Sequence, residues 1–198
     1  MNLLKLFEMQ AALDTHIEHE HPNVADRLEK KILALLVELG ELAQNWRGFK
    51  FWSNDQEPRV HVKNDCNSCG GLGFEEIIEF ECEECKGYGF TEYYNPLLEE
   101  YVDCLHFILS ISLESGFSAH EWNLSAIEGL KMESINKQFL KLFEKIGDFT
   151  FIQNRNNFLW ICPLFIGLGE MLGFTQEQIE QAYIKKNEIN HQRQLCGY

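Results

Sequence analysis

The sequence predicts an all-α protein, a helical bundle interrupted by a small zinc-binding insertion. Apolar residues recur at helical spacing through most of the chain. Between residues 53 and 94 that period disappears, and glycine, cysteine and short Phe and Ile runs replace it. No alternation of strand and helix signals supports a parallel sheet. At 198 residues the chain can hold one core and a satellite module. Residues 1–52 and 95–198 are therefore expected to form the helical core, and residues 53–94 the insertion.

The first helix is expected over 3–16, where Leu3, Leu4, Phe7, Ala11 and Leu13 suit an amphipathic face. Asn23 can cap a second helix running to about residue 46, with Leu28, Ile32, Leu35, Leu39, Leu42 and Trp46 on one stripe. Leu33, Val37 and Gly40 lie on its far side, so this helix is expected to be sandwiched between neighbours, which sets apart its remaining polar stripe. Asn95 and Pro96 open a third helix to about residue 114, Asn as cap and Pro in the first turn. Further helical patterns span 124–146, 158–172 and 176–194, the last with Thr175 and Gln178 as a capping box.

A hydrophobic fraction of 45% and 15 Phe argue against disorder. No apolar run approaches the roughly 18–20 residues of a membrane span, and the N-terminus carries no secretion signal, so no membrane association and a cytoplasmic location are expected. The formal charge is −14, from 31 acidic against 17 basic side chains, which argues against nucleic-acid binding. An anionic substrate would need metal ions as intermediaries.

Cys66-Asn-Ser-Cys69-Gly-Gly-Leu-Gly-Phe and Cys82-Glu-Glu-Cys85-Lys-Gly-Tyr-Gly-Phe repeat one pattern, sixteen residues apart. Each pair offers two sulfurs from one turn, and four thiolates make a closed tetrahedral site for a structural Zn²⁺. Four unrelated free cysteines are the alternative, and the matched spacing argues against it. The repeat resembles the zinc module of DnaJ-type chaperones over residues 66–90 alone, which implies no chaperone role. Residues 61–94 carry eight acidic side chains against Lys63 and Lys86, a net of −6, so this finger is not expected to bind nucleic acid.

Glu38 and Glu41 stand three apart on the second helix, and Glu100 and Asp103 repeat that spacing on the third. Packed together, the helices would set four carboxylates around one small volume. A single like-charged pair at about 4 Å costs on the order of 4 kcal/mol at an effective dielectric near 20, so protons or cations must compensate. Oxygen ligands with room for water and phosphate suit Mg²⁺. Either pair alone also reads as solvated surface acids; two pairs inside otherwise apolar helices favour the metal reading.

Three segments carry a resemblance: Glu38-Leu-Gly-Glu41-Leu-Ala-Gln-Asn-Trp46-Arg-Gly-Phe-Lys50-Phe-Trp52, Glu99-Glu100-Tyr-Val-Asp103-Cys-Leu-His-Phe107, and residues 183–198 with Tyr183, Lys186, Asn187, Asn190, Arg193 and Gln194. The chain resembles the dimeric all-α dUTPases, a branch of the all-α nucleoside triphosphate pyrophosphatases, through most of its length outside the insertion. The resemblance implies a bundle of that type and Mg²⁺-dependent hydrolysis of dUTP to dUMP and pyrophosphate, with attack at the β-phosphorus. Glu38, Glu41, Glu100 and Asp103 would hold two or more Mg²⁺ ions, and Glu41 would orient the attacking water and take its proton.

By the same analogy Phe107 presses on the deoxyribose, Trp52 covers the uracil, and Gln10 and Asp14 lie near the base. Phe107 reads equally as a core residue, and Gln10 and Asp14 as solvated surface. Lys50 belongs to the matching segment as a substrate contact. On the last helix Tyr183, Lys186, Asn187, Asn190 and Gln194 share one face with Arg193 at its border, read either as a phosphate-binding face that closes over substrate or as a solvated terminal helix. Family members are homodimers, and Leu105, Ile108 and Leu109 of the third helix could supply the interface. Competing readings are a pyrophosphatase for dCTP or a damaged nucleotide, and a noncatalytic zinc adaptor.

Overall fold

The computed structural model describes residues 1–74, 80–117 and 129–197. Its helices are α1 (Leu3–Glu20), α2 (Arg27–Trp46), α3 (Pro96–Glu114), α4 (Ile135–Phe151), α5 (Arg155–Phe158), α6 (Ile161–Met171) and α7 (Gln176–Leu195), with one hairpin, β1 (Val62–Asp65) and β2 (Phe90–Tyr94), between α2 and α3. The all-α class and the small insertion are as the sequence predicts. Among the described residues no single helix is long and apolar enough to cross a membrane.

Helix α3 is the axis of the bundle. Asn95 Oδ1 accepts from Leu98 N at 3.0 Å and Pro96 occupies the first turn, so the helix begins where its sequence says. Tyr101, Val102, Cys104, Leu105, Ile108, Leu109 and Ile111 are buried on every side of it, as a helix apolar all round must be. It packs against α1, α2, α6 and α7. Leu105, Ile108 and Leu109 therefore cannot form a subunit interface, because the chain's own helices already cover them.

Helix α2 starts later than expected. Asn23 has φ 65° in the preceding turn, and the cap is Asp26, also left-handed at φ 56° with no capping side-chain bond. The stripe of Ile32, Leu35, Leu39 and Leu42 is buried toward α3 and α4, whereas Leu33 and Val37 are 64% and 50% exposed. Among the described residues the expected sandwich is not formed: α2 packs on α3 and α4 along its buried stripe.

The remaining helices differ from expectation where local chemistry intervenes. Helix α1 runs four residues beyond the expected end. Helix α4 begins at Ile135 with Ser134 as its cap, and residues 129–134 are not helical. The expected start at 124 lies outside the described residues. The helix expected over 158–172 is α6, which starts three residues later at Ile161 with Pro163 in its first turn, and Phe158 instead ends the short α5. Thr175 and Gln178 form the expected capping box of α7.

In the insertion β1 and β2 pair antiparallel from Val62↔Tyr94 to Asp65↔Phe90, and Cys66 N donates to Gly89 O at 3.0 Å where the strands enter the cysteine repeats. The repeats interlock closely enough to require glycine. Gly73 has φ 83°, and a Cβ there would meet the Gly87 carbonyl oxygen at 2.6 Å.

Candidate active site

Helices α2 and α3 bring Glu38, Glu100 and Asp103 together, one carboxylate oxygen of each lying within 4.8 Å of the others. Glu41 is not part of this trio. It is exposed on the next turn of α2 and lines the same cleft of about 550 Å³, with Arg59, Glu99, Lys186 and Arg193. The arrangement is three carboxylates and a fourth at the rim, where the sequence predicts four equivalent ones.

The cluster is electrostatically unfinished. Burial and the neighbouring Asp103, Glu38 and Glu41 push Glu100 up to about 7. Burial, then Asp103 and Glu41, also raise Glu38, and burial raises Asp103 against the pull of Lys186. Lys186 Nζ lies 2.7 Å from Asp103 Oδ2 and 2.9 Å from Glu99 Oε1, and Asn45 Nδ2 donates to Glu100 Oε1 at 3.3 Å. One ammonium against this many carboxylates leaves room for added positive charge, and an all-oxygen donor set suits a hard divalent ion such as Mg²⁺.

Glu38 and Asp103 also border a second cleft of about 440 Å³, lined by Gln10, Asp14, His106, Phe107, Asn190 and Arg193 among others. Its wall is a connected polar network. Tyr183 OH donates to Gln10 Oε1 at 2.6 Å, Gln10 Nε2 donates to Asp14 Oδ1 at 2.7 Å, and Ser110 Oγ donates to Asp14 Oδ2 at 2.7 Å. His106 Nδ1 lies 2.8 Å from Gln10 Oε1 and its ring stacks on Tyr183 at 3.9 Å between centroids. A carbonyl oxygen can only accept, so Nδ1 carries the proton. Burial, then the nearby Lys186, hold the imidazole down to about 3, so it is neutral. Its Nε2 is a bare acceptor, buried, with no hydrogen-bond partner among the described residues.

Gln10 is therefore a buried wall residue, not solvated surface, and Phe107 is half-buried, packed on the core while lining the cleft. The polar face of α7 is likewise turned inward: Tyr183 is fully buried and Asn187 nearly so. The solvated-helix alternative is set aside. Asn190 and Arg193 reach the cleft, but Asn187 and Gln194 line neither cleft, and their Nδ2 and Oε1 are buried with no hydrogen-bond partner among the described residues. Trp52 is 66% exposed, in edge contact with Phe49 and Phe51, and Lys50 Nζ sits over the Phe49 ring; neither is brought to the clefts. Sequence reasoning assigned no role to His106, Ser110 or Arg59. For His106 a signal existed in its place beside Phe107, about one turn from Asp103.

The four cysteine sulfurs form the other cluster, all buried and within 4.8 Å of one another. Cys66 Sγ and Cys82 Sγ are 3.8 Å apart, and Cys69 Sγ and Cys85 Sγ 3.7 Å. Zn–S bonds of about 2.3 Å in a tetrahedron imply S···S edges of about 3.8 Å, so this donor set fits zinc. Gly73 N and Gly89 N donate to Cys69 Sγ and Cys85 Sγ, bonds that favour thiolates.

Comparison with known families places residues 2–66 and 89–198 in a match to the family model described as dUTPase. The unmatched stretch, 67–88, falls within the cysteine repeats. No curated protein matches the chain.

Proposed function

The chain belongs to the dUTPase family, and from that premise we propose that it hydrolyses dUTP to dUMP and pyrophosphate at the Glu38, Glu100 and Asp103 cluster. The observation that carries the choice of uracil over cytosine is His106; thymine has the same N3–H and is not distinguished by it. Its unpartnered Nε2 asks for a donor, and uracil offers one at N3, where cytosine has a lone pair. An unmet buried acceptor costs about 1–3 kcal/mol, so cytosine in the same pose would lose roughly 5- to 150-fold.

Glu38, Glu100 and Asp103 would hold Mg²⁺, which when bound would supply charge neutralisation for the triphosphate and a more acidic attacking water. Glu41, outside the trio, accepts that proton as the water oxygen bonds to phosphorus and the α–β anhydride bond breaks. Lys186 and Arg193 neutralise phosphate oxygens, Asn190 hydrogen-bonds sugar or base, and Phe107 closes on the deoxyribose. Trp52 and Lys50 would have to move to reach substrate. Zinc in the thiol cluster is structural, the insertion folds as a module over residues 53–94, and the enzyme is a cytoplasmic homodimer.

A panel of deoxynucleoside triphosphates with Mg²⁺ tests the reading. Turnover of dUTP far above dCTP is expected, with that preference collapsing in His106→Asn. Equal turnover of dCTP by the wild type would defeat the dUTP assignment, and full activity in Asp103→Asn would defeat the site.

A further inference from the structure

Resting on the pyrophosphatase reading above, we propose that Arg59 binds the outer phosphates of the substrate, and that the cysteine module is the clamp that holds Arg59 at the metal cleft. Arg59 lies at the foot of the insertion, not on a helix, yet it lines the cleft beside Glu38, Glu41, Glu100, Asp103, Lys186 and Arg193. Lys186 already spans Asp103 and Glu99. A triphosphate with its metal ions brings several anionic oxygens into this space, and a guanidinium fork matches two of them at once.

What Arg59 holds now resembles what it would hold then. Its guanidinium makes a two-pronged pair with the Asp55 carboxylate, Nη1 to Oδ1 at 3.3 Å and Nη2 to Oδ2 more closely still. Arg47 pairs with the same carboxylate at 3.0 Å. Asp55 and Arg59 are both substantially solvent-exposed, so the pair is weak and open to exchange. Asp55, which does not itself line the cleft, thus holds the fork in an exposed pair that a more highly charged anion in the cleft can displace.

Position comes from the backbone. Arg59 N donates to Asn45 O on α2 at 2.9 Å, and Arg59 O accepts from Leu97 N in the first turn of α3 at 3.0 Å. The residue is stitched between the two helices that carry the acids. Three residues on, Val62 pairs with Tyr94, and the hairpin climbs to Cys66 and Gly89, where the thiols close it. A two-stranded hairpin is marginal alone. A metal locking the far end keeps the strands paired to their root, and the root keeps Arg59 in place.

Binding of dUMP and of a nonhydrolysable dUTP analogue, measured calorimetrically in excess Mg²⁺, tests the first half. Arg59→Ala should weaken the analogue by roughly 10- to 100-fold, the loss of one charge-assisted contact, and change dUMP binding less than about twofold. Equal analogue binding by Arg59→Ala and wild type overturns the inference alone. Failure of the wild type to bind the analogue overturns the pyrophosphatase reading, and this one with it. For the clamp, a zinc-selective chelator should speed hydrogen exchange at the Leu97 amide and weaken analogue binding in the wild type. In Arg59→Ala it should cause no further weakening. Unchanged Leu97 exchange after metal removal, or equal chelator sensitivity in both proteins, overturns it.

Discussion

The 2.8 Å contact between His106 Nδ1 and Gln10 Oε1 decides which imidazole nitrogen carries the proton. Because Gln10 also receives Tyr183 OH and donates to Asp14, its amide cannot turn without breaking two bonds. The acceptor character of Nε2 is thus set by a residue on a different helix.

Removing that control should blur base choice before it abolishes catalysis. Gln10→Leu frees His106 to take either tautomer, and the ratio of kcat/KM for dUTP over dCTP should fall roughly 10-fold, about 1.4 kcal/mol of discrimination. An unchanged ratio would show that the tautomer plays no part.

The acid cluster predicts a stability that depends on pH in a particular direction. Glu100 is raised from 4.5 to about 7, so between those values the native state binds more protons than the unfolded chain. Metal-free protein should therefore lose stability as pH rises from about 4.5 to 7 and stay lower above it. Glu100 is only half-buried, and discounted for solvent screening the loss is about 1 kcal/mol, or roughly 2–4 °C in Tm. Saturating Mg²⁺ or Glu100→Gln should flatten that slope. A Tm of the metal-free protein that climbs across this window would contradict the cluster.

Gly73→Ala should disrupt the cysteine module and spare the bundle. Its methyl group would press on the Gly87 carbonyl in a backbone already at φ 83°, separating the two repeats. Competition with a chelator should show zinc affinity lower by at least about tenfold, since metal binding and local folding are one event. Helix content and the main thermal transition should stay within experimental error; collapse of both would mean the module is integral to the core.

A homodimer would require an apolar face, and α2 offers one in Leu33 and Val37, a turn apart and exposed. The double substitution Leu33→Glu with Val37→Glu should convert a dimer to a monomer in light scattering while leaving the helical spectrum intact. A dimer that survives it has its interface elsewhere.

Signals within one or two helical turns were legible. Asn95 with Pro96 and Thr175 with Gln178 marked helix starts correctly because capping is a contact between residues three apart. Asn23 misled because a left-handed turn at Asn23 and Asp26 delays α2, and turn geometry of that kind is set by packing. The spacing of Glu38, Glu100 and Asp103 foretold their meeting, but Glu41 sits a turn farther out than the pattern implied. The place of His106 beside Phe107 was legible, but its tautomer was not, because that depends on Gln10, 96 residues away, and on the burial that keeps the ring neutral.

The inward-turned polar face of α7 makes the cleft wall and the bundle's interior the same set of atoms. Tyr183, Gln10 and His106 tie three helices to one another, and Gln10 and His106 also line the cleft proposed to take the nucleoside. Variation that relaxes nucleotide choice would also loosen the protein, so drift toward new substrates would surface first as poor folding yield. Conversely, an occupied cleft should shield the chain from heat and proteases, and bound nucleotide would act as a scaffold for its own enzyme.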